Sequence, residues 1–220
     1  KKFIKEYPTI NHLALSSEQK ILKLWQGLGY YSRARNLHFT AKHILNKYNG
    51  KFPNSHQEIL SLKGVGDYTA SAIASICFDL PHAVVDGNVY RFLSRYFGIT
   101  TPVGSNIGFK EIKKKATSLM DKSQPGNYNQ ALIEFGAIQC KPRKPNCSIC
   151  PFNQDCFAVK FNKIDMLPLK RKINQIKSRH FNYLVILDKS GRVIIEKRQG
   201  IGIWQNMYQF PLVETNQKIK

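Results

Sequence analysis

Four cysteines fall within the 17 residues CKPRKPNCSICPFNQDC: Cys140, Cys147, Cys150 and Cys156. Elsewhere the chain holds only Cys77. The spacing C-x6-C-x2-C-x5-C contains one tight pair with a single ligand on a longer arm at each side. Clustered thiolates are metal ligands, and disulfides do not suit a reducing compartment. Structural zinc favours two short pairs, whereas an iron–sulfur cubane needs thiolates spread around a larger object. Spacing alone leaves zinc and iron–sulfur both open. Lys141, Arg143 and Lys144 lie in the first arm, so closing the site projects a basic loop. Cys77, inside the apolar ASAIASICF, reads as core.

A second chemical signal is LKGVGDYTASAI. Gly64-Val65-Gly66 between two helical patterns makes a tight turn whose bare backbone can approach another chain closely. A helix starting at about Thr69 directs free N–H groups into that turn, which makes an anion site. Twenty residues on, Asp86 follows the apolar Ala83-Val84-Val85 and opens the next helix. A carboxylate there is an ordinary N-cap; a partly buried one could also stabilise a developing cation.

These groups need a scaffold, and the first 160 or so residues read as helix after helix. SSEQKILKLWQGLGY offers a capping box, Ser16 with Gln19, before Ile21, Leu22, Trp25 and Leu28 at helical spacing. RARNLHFTAKHILNKYNG continues with Leu37, Ala41, Ile44, Leu45 and Tyr48, stopped by Gly50. Ser55 and Glu58 form a second box. VYRFLSRYFG, FKEIKKKATSLM and NQALIEFGAI each carry an apolar face and a polar or charged back. After Cys156 the character changes. Residues 161–179 are a basic linker, with six basic residues against one acid from Lys163 to Arg179. FNYLVILD and RVIIEKR then read as strands joined by a hairpin at Lys189, Ser190 and Gly191. The expected organisation is a mainly α body over 1–160 with its metal loop at 140–156, the linker, and a small α/β unit begun over 180–220.

Composition bounds the partners. Among 220 residues, 34 Lys and Arg against 14 Asp and Glu give a formal charge of +20. That charge repels itself unless a polyanion sits on it, and nucleic acid is the first candidate. Hydrophobic content of 42% is that of a folded domain. No run approaches the roughly 18 apolar residues that span a bilayer, and KKFIKEYPTI lacks a secretory apolar core. The expectation is a monomer without membrane association, in the cytoplasm or on a bacterial nucleoid.

Together, WQGLGYYSRARNL, LKGVGDYTASAI, VVDGNV, NQALIEFGAIQC and the cysteine run resemble the helix-hairpin-helix DNA glycosylases that carry a [4Fe–4S] cluster, and within them the adenine DNA glycosylases of MutY type. The resemblance implies a helix-hairpin-helix body followed by the start of a NUDIX-like domain. It also implies removal of adenine mispaired with 8-oxoguanine or guanine in double-stranded DNA. By position it makes Asp86 the catalytic carboxylate, with Tyr68 and Asn88 organising its pocket. Glu134 corresponds to the residue that meets the adenine edge. Tyr31 corresponds to a wedge in the base stack, with Gln26 and Leu28 beside the substrate. Lys63, Gly64, Val65 and Gly66 would hold phosphate, and the four cysteines the cluster.

Two departures qualify this reading. The lyase branch, of endonuclease III type, uses a lysine just after the hairpin; here Tyr68 stands there and cannot form a Schiff base. Tyr90 likewise stands where some relatives place a lysine. The family's general acid is a glutamate on an earlier helix, and neither Glu6 nor Glu18 fits its pattern, so the chain is expected to be a piece of a longer enzyme. The competing readings are the lyase and a DNA-binding module in which Asp86 only caps. A NUDIX-type hydrolase, suggested by the tail, is the weakest reading, since the chain carries no matching acidic helix.

Overall fold

The computed structural model describes residues 1–170, 178–200 and 202–218. It divides into two compact units, Lys1–Arg171 and Lys172–Lys220. Part of the expected basic linker, 171–177, lies outside the described residues.

The first unit is helical: α1 Lys2–Glu6, α2 Ile10–Leu15, α3 Glu18–Leu24, α4 Tyr31–Tyr48, α5 His56–Ser61, α6 Asp67–Phe78, α7 Gly87–Phe97, α8 Asn106–Ser118, α9 Pro125–Glu134 and α10 Phe157–Lys160. A π-helical turn, Phe135–Gln139, continues α9 into Cys140. The starts are capped as short polar residues dictate. Ser55 accepts the Glu58 N–H, and its hydroxyl donates to the Glu58 carboxylate at 2.6 Å. The first expected box is shifted by one residue. Ser17, not Ser16, caps α3 by accepting the Lys20 N–H. Ser16 ends α2 and shares a hydrogen bond with the Tyr7 hydroxyl.

Leu28 is not on α3. The helix stops at Leu24, and Gly27, Gly29 and Tyr30 all take positive φ, so Leu28 rides an exposed loop. Leu37, expected on the apolar face of α4, is also exposed. That face instead buries Ala34, His38, Thr40, Ala41 and Ile44. Asn49 and Gly50, both left-handed, end the helix, the Gly50 N–H reaching Ile44 O.

The largest core cluster gathers around α7, which packs against α8, α9, the π-helical turn and α10. Val89, Leu93 and Ile112 lie fully inside it, each worth about 1.5–3 kcal/mol over an exposed position. A second cluster joins α2, α3 and α4 around Ile21; a third joins α5 and α6 around Ile59, Ala70 and Ala74.

The second unit has four short strands, β1 His180–Tyr183, β2 Glu196–Lys197, β3 Tyr208–Gln209 and β4 Leu212–Thr215. β1 pairs antiparallel with β4, and β2 with β3. The expected hairpin is therefore thinner than its sequence suggests. Leu187 and Val193 form one isolated bridge across the turn, but HFNY, His180–Tyr183, pairs with LVET rather than with RVIIEKR.

Candidate functional site

The α5–α6 turn is built on α4. Thr40 donates its hydroxyl to Lys63 O at 3.0 Å, and the Lys63 ammonium lies 4.2 Å from the Phe39 ring centroid. At Gly64, φ is +82°, and an added Cβ would lie 2.7 Å from the Asn36 side chain. Only glycine fits that approach. Gly66 caps α6 without a side-chain acceptor, and the helix begins at Asp67, earlier than expected. The first-turn N–H groups are thus open to an anion. Lys63, Gly64 and Gly66 are exposed, Val65 is half-buried, and Tyr68 on the first turn is 45% exposed.

Asp86 is positioned by the buried run before it. Ala83, Val84 and Val85 are interior, and Val84 N–H donates to Asn129 Oδ1 at 2.9 Å. The chain emerges at Asp86, which caps α7. Its Oδ1 accepts the Asn88 and Val89 N–H groups, each at 2.8 Å, and its Oδ2 accepts Asn88 Nδ2 at 2.9 Å. The cap is real, of a kind worth about 1 kcal/mol. It also fixes the direction of the half-buried carboxylate, so capping and chemistry are compatible.

The expected charged back of VYRFLSRYFG is a correction. Arg91 and Arg95 are only 9% and 3% exposed. Arg91 donates from Nη2 to Asn88 Oδ1 at 2.9 Å and to Gly136 O, and from Nε to Cys140 O at 2.7 Å. Burial pushes its guanidinium pKa down, opposed by Cys140 and Asp86. Arg95 donates to Ile164 O, Leu167 O, Lys141 O and Pro142 O at 2.7 to 3.1 Å, and lies 3.5 Å from Cys140 Sγ. A chain of contacts thus runs from Asp86 through Asn88 and Arg91 to the backbone of the first cysteine. Gly136 makes the crossing possible, since a Cβ there would sit 2.6 Å from Asn88 O. Sequence reasoning missed both arginines; their i, i+4 spacing on the helix that starts at Asp86 was the available signal.

The four expected ligands line one cavity with about 400 Å³ of free space, mouth included, walled by Phe92, Phe135 and Phe152. Those rings pack on one another at centroid distances of 4.7 to 5.4 Å. None of the four cysteines is in a disulfide. Burial, then the other three sulfurs, pushes the Cys147 thiol up, and Arg95 opposes them. Among the described residues no three His, Cys, Asp or Glu side chains converge on a single-ion position. All four cysteines line the same cavity, as the ligands of a cubane must. Lys141, Arg143 and Lys144 project outward, exposed.

The remaining candidates are less connected. Tyr31 is half-buried, while Leu28 and Tyr30 are 63% and 81% exposed; Gln26 and Glu134 are also exposed. No hydrogen bond among the described residues joins Gln26, Leu28, Tyr31, Tyr68 or Glu134 to Asp86. Tyr90 is buried in the core, its hydroxyl donating to Thr101 O at 3.0 Å. Cys77 is exposed rather than core, because α6 turns Ala70, Ser71, Ala74 and Ser75 inward instead.

The family described as HhH-GPD superfamily base excision DNA repair protein matches residues 1–120, and the iron-sulfur binding domain of endonuclease III matches residues 140–156. The cysteine loop is therefore an iron–sulfur site. An adenine DNA glycosylase of Buchnera aphidicola subsp. Baizongia pistaciae is 40% identical over 214 residues, covering 96% of this chain and 59% of that protein. The chain spans about three fifths of the length of such relatives. A thermostable thymine-DNA glycosylase structure superposes with a TM-score of 0.68 at 31% identity, over 73% of this chain and 74% of that one. A non-covalent endonuclease III–DNA complex gives 0.64 at 25% identity, with the same coverage. No described helix is long and apolar enough to cross a membrane. On the match over its helical body, the chain belongs to the HhH-GPD superfamily of base excision DNA repair proteins.

Proposed function

We propose that this chain is the glycosylase body of an enzyme that removes adenine mispaired with 8-oxoguanine, or with guanine, from double-stranded DNA. The observation that carries the reading is Asp86: a half-buried carboxylate with both oxygens held, one turn-and-helix away from an open anion-binding hairpin. The name and 40% identity of the Buchnera relative support adenine as the base.

In the reaction the bond from deoxyribose C1′ to adenine N9 breaks, its electron pair leaves with the base, and water supplies the new C1′–O bond. The sugar passes through an oxocarbenium-like state, and glycoside hydrolysis stabilises that state with a carboxylate. Asp86 takes this role, with Asn88 holding its orientation and Tyr68 bordering the pocket. Glu134 meets the edge of the flipped adenine, and Tyr31 fills the gap in the stack beside Gln26 and Leu28. Gly64, Val65, Gly66 and Lys63 bind backbone phosphate. Cys140, Cys147, Cys150 and Cys156 hold the [4Fe–4S] cluster, which, when bound, pins the loop carrying Lys141, Arg143 and Lys144 against phosphate. Adenine must also be protonated to leave. Glu6 and Glu18 are exposed, Glu18 pairs with Arg35, and neither is assigned that step.

The endonuclease III-like lyase reading is weaker. It needs an amine where Tyr68 stands, and the Tyr90 side chain is committed to Thr101 O. The discriminating experiment is single-turnover adenine release from an A·8-oxoguanine duplex by the full-length enzyme with Asp86→Asn. The expected loss is about 10²–10³-fold, typical of removing electrostatic transition-state stabilisation. Unchanged release would reduce Asp86 to a cap and rule out its catalytic assignment.

A further inference from the structure

Helix α8 places Lys110, Lys113, Lys114 and Lys115 within 13 residues, with Glu111 its only acid. That acid is occupied, since Thr101 donates its hydroxyl to the Glu111 carboxylate. Two of the lysines are also engaged. Lys115 lies 4.2 Å from the Phe97 ring centroid. Lys113 donates to Asp67 Oδ2 at 2.8 Å and to Ser71 Oγ at 2.9 Å. Lys110 and Lys114 remain, together with Lys122 just beyond the helix. All three are exposed and line an open depression of about 570 Å³ that has no carboxylate in its wall. Among the described residues none of the three forms an ion pair. Asp121, the neighbour of Lys122, is turned to Ser123, accepting its N–H and hydroxyl at 2.9 and 2.6 Å.

The position matters as much as the charge. The Lys113–Asp67 pair ties α8 to the first residue of α6, directly behind the Gly64–Gly66 turn. Lys113 also lines the depression, so the free lysines sit beside the tie between α8 and α6. Three unpaired ammonium groups with no acid between them repel one another, and a row of phosphates relieves that repulsion. Lysine is a point charge without the planar fork of arginine, so such contacts do not read sequence.

We infer that Lys110, Lys114 and Lys122 form a second contact for the phosphodiester backbone of duplex DNA, extending the track that begins at the hairpin. The inference rests on the proposal that this chain binds duplex DNA. Its test is the salt dependence of binding by the 220-residue chain to an undamaged duplex, between about 50 and 200 mM salt. Each neutralised phosphate contributes about 0.9 to the log–log slope. A Lys110→Gln, Lys114→Gln, Lys122→Gln triple should flatten the slope by about 2–3, each single change by about 1. The corresponding triple to Arg should restore it. A triple variant with native thermal melting and an unchanged slope overturns the inference, and the single variants decide it if the triple does not fold. If Lys63→Gln flattens the slope and the triple does not, the hairpin reading stands and this one falls. A flat response in the unaltered chain removes both.

Discussion

The two units are built from similar proportions of apolar residues and end up opposite in kind. Every buried hydrophobic residue among those described lies in the helical unit, the last being Leu167. In the second unit Leu187, Val193, Ile194 and Ile195 are all exposed. Its described order comes from short ladders and local polar contacts. Asp188 is the plainest case: its carboxylate accepts the Ser190 and Arg192 N–H groups, the Ser190 hydroxyl and the Arg192 guanidinium, all at 2.7 to 2.9 Å. Apolar sequence becomes core only where a second layer covers it. The helices cover one another; two-residue strands do not.

The largest break in this contrast should come from Arg95→Leu. Four backbone carbonyls would lose a buried donor, and leaving two or more unsatisfied at about 1–3 kcal/mol each costs about 3–5 kcal/mol in all. Denaturant unfolding followed by helix signal should shift by that amount, while fluorescence from Trp204 in the second unit stays put. Next comes Ile112→Ala, expected to cost about 2–5 kcal/mol as a core truncation. Its counterpart Ile194→Ala should stay within about 0.5 kcal/mol, as surface changes do. Equal effects at the two sites would mean that the second unit has a core of its own.

Acid should separate the units by pH as well. His82 stacks on His56 with ring centroids 4.1 Å apart. Burial first, then His56 and Lys113, lowers its pKa. The folded state then binds fewer protons than the unfolded one. Stability is full above the usual histidine value of about 6.5 and declines as pH falls below it. Asp188 is depressed to about 2, chiefly by the Ser190 hydroxyl and the Arg192 N–H. Its contribution is complete above the ordinary aspartate value and is lost as pH drops through about 2. A pH titration with probes in each unit should show the helical body weakening first. Simultaneous loss would contradict both assignments.

Much of the helical body was legible in the sequence because its signals are local. The cysteine spacing, the paired glycines and the aspartate after three apolar residues each act within a few positions. The buried arginines were not legible, because charge on a helix implies solvent unless acceptors are known. Apart from Asn88 and Gly87 at the start of the helix, theirs lie 45 to 72 residues away. Leu28 looked helical by spacing, but Gly27, Gly29 and Tyr30 take left-handed backbone that no periodicity encodes. In the tail, HFNY and LVET pair across 29 or more residues, a distance at which hairpin logic has no reach.

The π-helical turn Phe135–Gln139 carries a consequence for sequence length. Such a turn holds one residue more than the α-helix it interrupts, and one residue is about 100° of rotation at 3.6 per turn. Deleting one residue there would let α9 run on as a regular helix and keep Cys140 near its present bearing, because the turn already absorbs the extra residue. Glu134, upstream, would not move. The turn is thus where this helix can lose a residue without turning its cysteine end, whereas a residue lost from the regular helix before it would rotate Cys140 by about 100°.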